Sequence, residues 1–428
     1  MAYNYNGKEP NKIPLKYLTE KHKKLIFENN TFCMYPWIHL NVNPNGKIYP
    51  CCAVKQANDV GSLHNNTLEE IWNDVPLREV RKKMLEGKPV SGCENCYEQE
   101  KNGFFSMRVS INKHFGHHIK LVDKTMPDGT LPEMKLIYWD VRFSNLCNLR
   151  CRSCGHLYSS NWYDDQIKLA GSDYAKDNKR IFYAGKSETD TWEQMIPHID
   201  YVEQVYFAGG EPLIMEEHYK LLKELIKRKK TNVRLIYNSN FNQLTYKKTN
   251  VLEIWREFES VCVGASLDGM HKHAEYIRKG TNWNQVEKNR EEMLKICPNV
   301  DFYISPTLSI MNALHLPYFH KDWVNKGFLQ PQDCNVNILQ NPPHYRIDVL
   351  PVQYKKQVKE LYQNHLEWLK PLDKLKRATV GFESAINFMI AEDKSNLLEI
   401  FKQKTAQLDK IRNENILDAI PELGDLYE

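Results

Sequence analysis

The sequence predicts an α/β protein built around a partial (β/α)6 barrel of the TIM type, with six parallel βα units. Three observations predict this fold: strand-like runs alternate with helical patterns from about residue 134 to 345, polar motifs follow several of these runs, and eight of the eleven cysteines are grouped. We expect three regions, namely a small amino-terminal cysteine module in residues 1–130, the barrel in residues 131–345, and helices in residues 346–428.

Composition narrows the class of protein. The chain has 428 residues, of which 42% are hydrophobic and 26% charged, and its net charge of +4 gives no reason to expect a nucleic-acid partner. No run is apolar enough to span a membrane, and the first thirty residues are polar and lysine-rich, so we expect no secretory signal, no membrane partner and a cytoplasmic location. In that reducing compartment, grouped cysteines usually bind metals or take part in chemistry.

The strands of the predicted barrel are six runs rich in β-branched and aromatic residues: Lys135–Val141, Val202–Phe207, Val233–Tyr237, Val261–Ala265, Phe302–Ser305 and Asn335–Leu339. Between them, apolar residues at helical spacing predict helices over Met215–Lys229 and Thr249–Phe258. Parallel βα units place their active sites at the carboxyl ends of the strands, so we expect the functional residues directly after these runs.

A three-cysteine motif follows the first predicted strand. Cys147, Cys151 and Cys154 have the spacing CxxxCxxC. Three thiolates on one loop suit three irons of a [4Fe–4S] cluster and leave the fourth iron without a protein ligand. The alternative is a structural zinc site, which requires a fourth ligand such as His156.

This motif, placed after a first strand, resembles that of the radical S-adenosylmethionine (radical SAM) superfamily. The resemblance implies that the open iron binds the amino and carboxylate groups of S-adenosylmethionine, and that an electron from the cluster releases a 5′-deoxyadenosyl radical. One residue departs from the pattern: Ser153 stands where the family usually has an aromatic residue near the adenine. Part of the adenine contact is therefore expected from other segments.

Polar segments after the later strands resemble the cosubstrate-binding segments of the same superfamily. Glycines allow a backbone to approach a ligand, a carboxylate can accept from an ammonium group, and Ser and Asp can bond ribose hydroxyls. The resemblance implies that a GGEP segment contacts the methionine amino group and that an SLDG segment contacts the ribose. It implies cosubstrate contacts for Gly209, Gly210, Glu211, Asn240, Ser266, Asp268, Arg278 and Thr307, with Arg278 directed at the methionine carboxylate.

A second group of cysteines precedes the barrel. Cys33 and Cys51 flank an Asn45-Gly46 pair, which predicts the turn of a hairpin from about Leu40 to Tyr49, and a CxxC follows at Cys93 and Cys96. The hairpin would bring Cys33 and Cys51 together. Cys52 is an alternative to Cys51, and a zinc ribbon is an alternative to an iron–sulfur cluster.

This cysteine pattern resembles the SPASM/twitch elaboration of the radical SAM superfamily. The resemblance implies that Cys33, Cys51, Cys93 and Cys96 enclose an auxiliary [4Fe–4S] cluster. No cysteine lies between Cys96 and Cys147, so we expect the single-cluster, twitch-like form. The module usually follows the barrel in this family, whereas here it precedes it.

The remaining features are interpreted as packing. Cys262, Cys297 and Cys334 stand alone and are expected in the core, as small hydrophobic residues. Val352–Leu369 and Ser395–Leu417 are helical by periodicity and are expected to cover the open edge of the barrel.

Taken together, the motifs predict a radical SAM enzyme. Its catalytic cluster would be held by Cys147, Cys151 and Cys154, an electron donor such as flavodoxin or ferredoxin would reduce it, and hydrogen would be abstracted from a substrate. SPASM and twitch enzymes often modify peptides or proteins, so the resemblance implies a peptide or protein substrate. The alternatives are a radical SAM enzyme for a small molecule or nucleotide, and a non-catalytic scaffold that binds zinc or an iron–sulfur cluster.

Overall fold

The structure is a computed structural model that describes residues 18–55, 57–101 and 105–427. The first seventeen residues of the predicted amino-terminal module lie outside the described residues. The chain divides into two compact units that alternate along the sequence. The first comprises the described residues up to Ser144 with Phe182–Gly209 and Lys227–Leu235, and the second comprises Asn145–Ile181, Gly210–Ile226 and the chain from Ile236 onward.

The strands are short, and they are numbered here in chain order. They are β1 Asn41–Val42, β2 Lys47–Tyr49, β3 Gly61–Ser62, β4 Tyr138–Val141, β5 Arg150–Cys151, β6 Gln204–Phe207, β7 Arg234–Ser239, β8 Thr245–Tyr246, β9 Thr249–Asn250, β10 Val261–Ala265, β11 Arg278–Lys279, β12 Asp301–Ile304, β13 Thr307–Leu308 and β14 Asn337–Ile338.

In the first unit the strands have the order β3-β2-β1-β4-β6. β4 and β6 run parallel, with Tyr138 opposite Gln204, and β1 joins them in parallel, with Asn41 opposite Asp140. β1, β2 and β3 are antiparallel to one another. The helices of this unit are Glu20–Lys23, Tyr35–Ile38, Leu68–Trp72, Val75–Leu85, Glu94–Lys101, Met107–Phe115 and Asp190–Met195.

The predicted hairpin between the first two cysteines is confirmed. The Gly46 N–H donates to the Asn43 carbonyl over 2.9 Å, and Gly46 has φ +79°, a conformation that glycine adopts without strain. β1 of this hairpin pairs with β4, the first strand of the predicted barrel. The amino-terminal cysteine segment and the first βα strand therefore belong to one sheet.

In the second unit the strands have the order β7-β10-β12, and β10 and β12 run parallel with Cys262 opposite Asp301. All five residues of β10 are buried, as expected for a strand covered on both faces. The helices that begin in this unit are Tyr163–Ala170, Tyr174–Asp177, Glu216–Lys227, Val251–Trp255, His271–Ile277, Trp283–Ile296, Leu316–Asn325, Val352–Leu369, Arg377–Ala391, Leu398–Arg412 and Ile416–Ala419.

Three predicted elements differ clearly from the structure. The helix predicted over Thr249–Phe258 is limited to Val251–Trp255, and Thr249–Asn250 forms β9. The sixth predicted strand is reduced to β14, which pairs in parallel with β13. The carboxy-terminal helical pattern is broken at Asn413, whose left-handed φ of +53° ends the helix Leu398–Arg412. The helix Arg377–Ala391 was missed because Gly381 and β-branched residues lower its helix propensity; the glycine lets the helix approach Val336 closely.

The α/β class, with successive parallel βα units and carboxy-terminal helices, is confirmed. Cys262, Cys297 and Cys334 are buried, as expected for packing residues. Within the described residues, no helix is both long enough and apolar enough to span a bilayer.

Candidate active site and auxiliary cysteine site

The three-cysteine loop is held in place by backbone pairing in the second unit. β5 pairs antiparallel with β11, which puts Cys151 opposite Arg278. The Cys147 N–H donates to the Ser160 hydroxyl over 3.2 Å, and the Trp162 indole N–H donates to the Cys151 carbonyl over 2.8 Å. The loop that carries the three predicted ligands therefore has a defined backbone path.

The chemistry of these thiols favours a bound metal. Cys147, Cys151 and Cys154 are free and half-buried. Burial, followed by the charges of Cys151 and Glu211, raises the pKa of Cys147 above its usual range, and burial with the charge of Cys151 raises the pKa of Cys154 to about 12. Three neighbouring thiolates are thus disfavoured on their own, and metal coordination offsets this because a coordinated thiol is deprotonated.

The spacing of the sulfurs distinguishes between the two predicted metal centres. Within the part of the chain that the structure describes, no three cysteine Sγ atoms lie within 4.8 Å of one another. A tetrahedral zinc ion with Zn–S bonds of about 2.3 Å would hold its sulfurs about 3.8 Å apart. The cysteine sulfurs of the described residues therefore do not form a closed set of the kind that binds one zinc ion, whereas the cysteines of an iron–sulfur cluster bind separate irons.

His156, the alternative fourth zinc ligand, is engaged elsewhere. Its Nδ1 lies 2.8 Å from the Tyr174 hydroxyl, and its Nε2 lies 2.9 Å from the Arg180 carbonyl oxygen. Both ring nitrogens are therefore used, and the position next to the three cysteines gains no fourth protein ligand from this histidine.

The Glu211 carboxylate lies buried after β6. Its Oε1 accepts from the Leu213 N–H over 3.1 Å and from the Ser239 hydroxyl over 2.9 Å, and its Oε2 accepts from the Asn240 N–H over 2.7 Å. Burial raises the pKa of Glu211 to about 7, against the lowering effect of these hydrogen bonds. A carboxylate has about four acceptor positions, so Glu211 keeps capacity for a cationic ligand group.

The glycines before Glu211 are required by close backbone approach. A Cβ at Gly210 would lie 2.1 Å from the Leu146 carbonyl oxygen. The same oxygen accepts from the Glu211 N–H over 2.8 Å, so the glycine segment lies directly against the residue before Cys147. Gly209 has φ +106°, a left-handed conformation that L side chains rarely adopt.

Asp268, after β10, organises a second group of predicted contacts. It is fully buried, and its Oδ1 accepts from Arg278 over 2.9 Å and from the Thr307 N–H over 2.7 Å. The other Arg278 Nη atom lies 3.7 Å from the Cys151 Sγ. Ser266 is tied to β7 by a 2.7 Å bond from its N–H to the Ser239 carbonyl. Arg278 therefore lies between a buried carboxylate and a cysteine of the three-cysteine loop.

Two further side chains connect the segments of this site, and of these Asn148 was not predicted. The Asn240 side chain donates to the Asn148 Oδ1 over 2.7 Å, which links β7 to the cysteine loop. The Asn312 side chain donates to the Asp268 carbonyl over 2.8 Å. Asn148 lies inside the CxxxC spacing, where the motif specifies no residue type. Its role becomes visible only through its hydrogen bond with Asn240 in the folded chain.

The amino-terminal cysteines meet in the first unit. One cavity there, with an empty volume of about 380 Å³ that includes its open mouth, is lined by the four predicted auxiliary ligands and by Tyr97 and Arg108, among others. The four cysteines are Cys33, Cys51, Cys93 and Cys96. Burial and the charges of Cys96 and Cys93 raise the pKa of Cys33 above its usual range. The Cys33 thiol, like those of the other group, is therefore disfavoured as a free thiolate.

The structure separates Cys51 from Cys52. Cys51 lines the cavity, and burial, with the charges of Cys52, Cys33 and Cys93, raises its pKa well above the ordinary value. Cys52 does not line that cavity; burial and the Asp140 charge raise its pKa to about 11. The two thiols therefore face different surroundings, and Cys51 faces the other three cysteines.

Both ends of this cysteine group are anchored. Asn112 accepts from the Met34 N–H and donates to the Phe32 carbonyl, both over 2.9 Å, so it brackets Cys33. Gly92, with φ +92°, leads into the CxxC, and a Cβ there would lie 2.9 Å from Val54. The ligand-bearing segments are thus fixed by contacts outside the cysteines themselves.

Residues 33–97 match the family model of SPASM, an iron–sulfur cluster-binding domain. The match begins at Cys33 and ends one residue after Cys96, so it covers the whole amino-terminal cysteine group. The match supports the resemblance of this cysteine group to the SPASM elaboration, and it extends over that group alone.

Several solved structures are similar to the chain. Native anSMEcpe with bound AdoMet and Cp18Cys peptide is 19% identical, with a TM-score of 0.37, over 56% of this chain and 62% of that one. Streptococcus suis SuiB bound to precursor peptide SuiA is 13% identical, with a TM-score of 0.39, over 69% of this chain and 64% of that one. TYW1 with a lysine-pyruvate adduct bound is 14% identical, with a TM-score of 0.27, over 54% of this chain and 72% of that one.

The chain thus spans less than two thirds of the length of the anSMEcpe and SuiB chains. The search of curated protein sequences gives no match.

Proposed function

We propose that the chain is a radical SAM enzyme whose second unit holds a [4Fe–4S] cluster on Cys147, Cys151 and Cys154 and binds S-adenosylmethionine beside it. One observation carries the proposal: the loop with three half-buried thiols contacts the Glu211 backbone through the Leu146 carbonyl, and its Cys151 thiol contacts Arg278, which is paired with the buried Asp268. When bound, the cluster supplies the electron that cleaves S-adenosylmethionine to methionine and a 5′-deoxyadenosyl radical.

The residues of the chain bind and orient the cosubstrate. Glu211, held by three donors, accepts from the methionine ammonium group. Asp268 fixes Arg278, whose guanidinium then meets the methionine carboxylate. Ser266 is assigned to the ribose and Thr307 to a further cosubstrate contact. Gly209 and Gly210 let the backbone turn tightly enough to present Glu211.

The remaining assignments belong to the same proposal. Cys33, Cys51, Cys93 and Cys96 hold an auxiliary [4Fe–4S] cluster, for which the shared cavity and the SPASM match are the support. The substrate is a peptide or protein, as the SPASM resemblance implies, and a flavodoxin or ferredoxin supplies electrons in the cytoplasm. The domain boundaries at residues 130 and 345 stay a prediction.

The test is anaerobic reconstitution with iron, sulfide and reductant. We expect about eight irons per chain, formation of 5′-deoxyadenosine, and deuterium transfer into it from a labelled peptide substrate. Zinc in place of iron, or no 5′-deoxyadenosine from fully loaded protein, would contradict the enzyme. Deuterium transfer from a small molecule or nucleotide but not from peptides would contradict the substrate class.

Replacing each of the two adjacent cysteines, Cys51 and Cys52, by serine tests which of them is a ligand. Cys51→Ser is expected to lower the iron content from about eight to about four per chain, because it removes a ligand of the auxiliary cluster, and Cys52→Ser is expected to keep about eight. Iron analysis and the EPR spectrum of the reduced protein measure both variants. Loss of iron in Cys52→Ser with full loading of Cys51→Ser would reverse the assignment.

S-adenosylmethionine binding is expected to depend on pH through Glu211. Burial raises the pKa of Glu211 to about 7, so the carboxylate that accepts from the ammonium group forms only as the pH rises through that value. The dissociation constant should therefore fall by about tenfold between pH 6 and pH 8. Glu211→Gln keeps the shape but cannot ionise, so its affinity should be weak and flat over that range; a wild-type profile that is equally flat would refute the role.

A further inference from the structure

Charged residues of the carboxy-terminal segment bind one arginine of the cysteine loop directly and are linked to a second one through an intervening aspartate. Arg150 and Arg152 flank Cys151, and the Arg152 side chain is only 1% exposed. Its Nη2 donates to Asp409 and, over 2.8 Å, to the Glu414 Oε2. A buried guanidinium is tolerated only when it is paired, so these two carboxylates stabilise Arg152 where it lies.

Asp409 is itself held by further contacts. Its Oδ1 accepts from the Tyr276 hydroxyl over 2.8 Å, and its Oδ2 accepts from the Ile416 N–H over 2.9 Å. The Tyr276 ring lies under the Arg152 guanidinium, 3.7 Å from the ring centroid to Cζ. The Arg152 guanidinium is thus fixed both by the aromatic ring and by a carboxylate whose two oxygens are used.

Arg150 takes part in a second series of ion pairs, which runs through Asp165 to Arg412. Arg150 donates to the Asp165 Oδ1 over 3.0 Å, and Arg412 donates to the Asp165 Oδ2 over 2.8 Å. The Arg412 guanidinium also lies 4.7 Å from the ring centroid of Trp162, whose indole bonds the Cys151 carbonyl. The residues on both sides of Cys151 are therefore linked to the helix Leu398–Arg412.

The three charged residues that make these contacts lie at the end of the helix Leu398–Arg412 or just after it. Asp409 and Arg412 are three positions apart, so they lie on one helix face. Asn413 then turns into the left-handed region with φ +53°, and the Glu414 N–H donates back to the Asp409 carbonyl over 3.0 Å. Glu414 also pairs with Lys279 of β11 over 2.9 Å. We name Asp409, Arg412 and Glu414 the clasp.

We propose that the clasp is a positioning element for the catalytic cluster: through Arg150 and Arg152, it sets the conformation of the loop that bears Cys147, Cys151 and Cys154. This rests on the proposed function of that loop. The clasp residues act through the arginines and are not themselves placed against the cluster or cosubstrate. The carboxy-terminal helix thereby has a role beyond the predicted covering of the barrel edge.

The test compares the chain carrying Asp409→Asn/Glu414→Gln with Glu399→Gln, which removes an exposed carboxylate of the same helix that lies 3.2 Å from Lys402 Nζ. We expect the double variant to change the EPR spectrum of the reduced catalytic cluster and its response to S-adenosylmethionine. We also expect 5′-deoxyadenosine formation to fall about 10- to 100-fold, because small displacements of reacting groups have effects of this size. Glu399→Gln should match wild type.

Two further variants keep the test decisive. If the double variant does not fold, shown by loss of the auxiliary-cluster signal, Glu414→Gln alone is read by the same spectrum. Glu414→Asp keeps the charge and should restore the wild-type spectrum. If the folded charge-removing variants keep the wild-type spectrum and rate, the role of the clasp is overturned. If the wild type loads both clusters yet forms no 5′-deoxyadenosine, the proposed function is overturned. In that case the comparison of the EPR spectra still tests the clasp.

Discussion

Cys151→Ala is expected to abolish the formation of 5′-deoxyadenosine, by at least about 1,000-fold, or about 4 kcal/mol in activation free energy. The cysteine lies at the centre of the loop, paired with Arg278 through the backbone and with its thiol 3.7 Å from the Arg278 guanidinium. If the proposed assignment is right, the variant leaves the catalytic cluster with two of its three protein ligands. Iron should fall from about eight to about four per chain, with the auxiliary signal intact.

The matched control is Cys297→Ala, because Cys297 is a buried cysteine that lies in neither group. It should keep about eight irons and the wild-type rate. Anaerobic iron analysis and a product assay by liquid chromatography measure both variants. Wild-type rates from Cys151→Ala, with the iron content unchanged, would remove the three-cysteine loop from the mechanism.

Gly210→Ala adds one methyl group to the candidate active site and is expected to impair both folding stability and cosubstrate binding. The new Cβ would lie 2.1 Å from the Leu146 carbonyl oxygen and 2.7 Å from the Leu146 carbonyl carbon. Both atoms are backbone, so no rotation of a side chain relieves the clash. The segment must move away from Leu146, which breaks the 2.8 Å bond from the Glu211 N–H to that same oxygen and displaces the Glu211 carboxylate.

We expect Gly210→Ala to lower the free energy of unfolding by about 2 to 3 kcal/mol, in the range of overpacked sites. We also expect it to abolish measurable binding of S-adenosylmethionine. Gly155→Ala is the matched control: Gly155 directly follows Cys154, its φ is not positive, and no heavy atom lies within 4 Å of the added Cβ. Denaturant unfolding and equilibrium binding compare the two, and equal behaviour of the two alanine variants would show that the close approach at Gly210 has no role.

The two predictions test one structural link from both sides. Leu146 directly precedes Cys147, and its carbonyl meets both Gly210 and Glu211. A disturbance of the glycine segment therefore reaches the cysteine loop, and a change of the loop reaches Glu211. We expect Gly210→Ala to alter the EPR spectrum of the catalytic cluster as well as cosubstrate binding.

Much of the candidate site was predictable because its signals are local. The spacing of Cys147, Cys151 and Cys154 lies within eight residues, and the Asn45-Gly46 turn lies within one hairpin. The strand Val261–Ala265 was predicted with its observed bounds, because a fully buried parallel strand is continuously apolar. In each case neighbours along the chain determine the structure.

The choice between Cys51 and Cys52 shows where the local signal ends. Both are cysteines at adjacent positions, so no spacing rule separates them, and only the path of the chain directs Cys51 into the cavity and Cys52 towards Asp140. The helix Arg377–Ala391 is a second case, because its packing outweighs the weak helix propensity of its residues.

The grouping of the cysteines and the order of the strands follow from the sequence, since short-range spacing and hydrophobic periodicity encode them. The partners of Arg152 do not: Arg152 occupies a variable position of the CxxxCxxC motif, and Asp409 lies 257 residues away in no motif. A buried guanidinium must find carboxylates, but many carboxylates are present and only the packed chain selects two of them. The tertiary structure therefore decided how the predicted cysteine loop is held, because pairing of buried charges depends on proximity in space and not on separation in sequence.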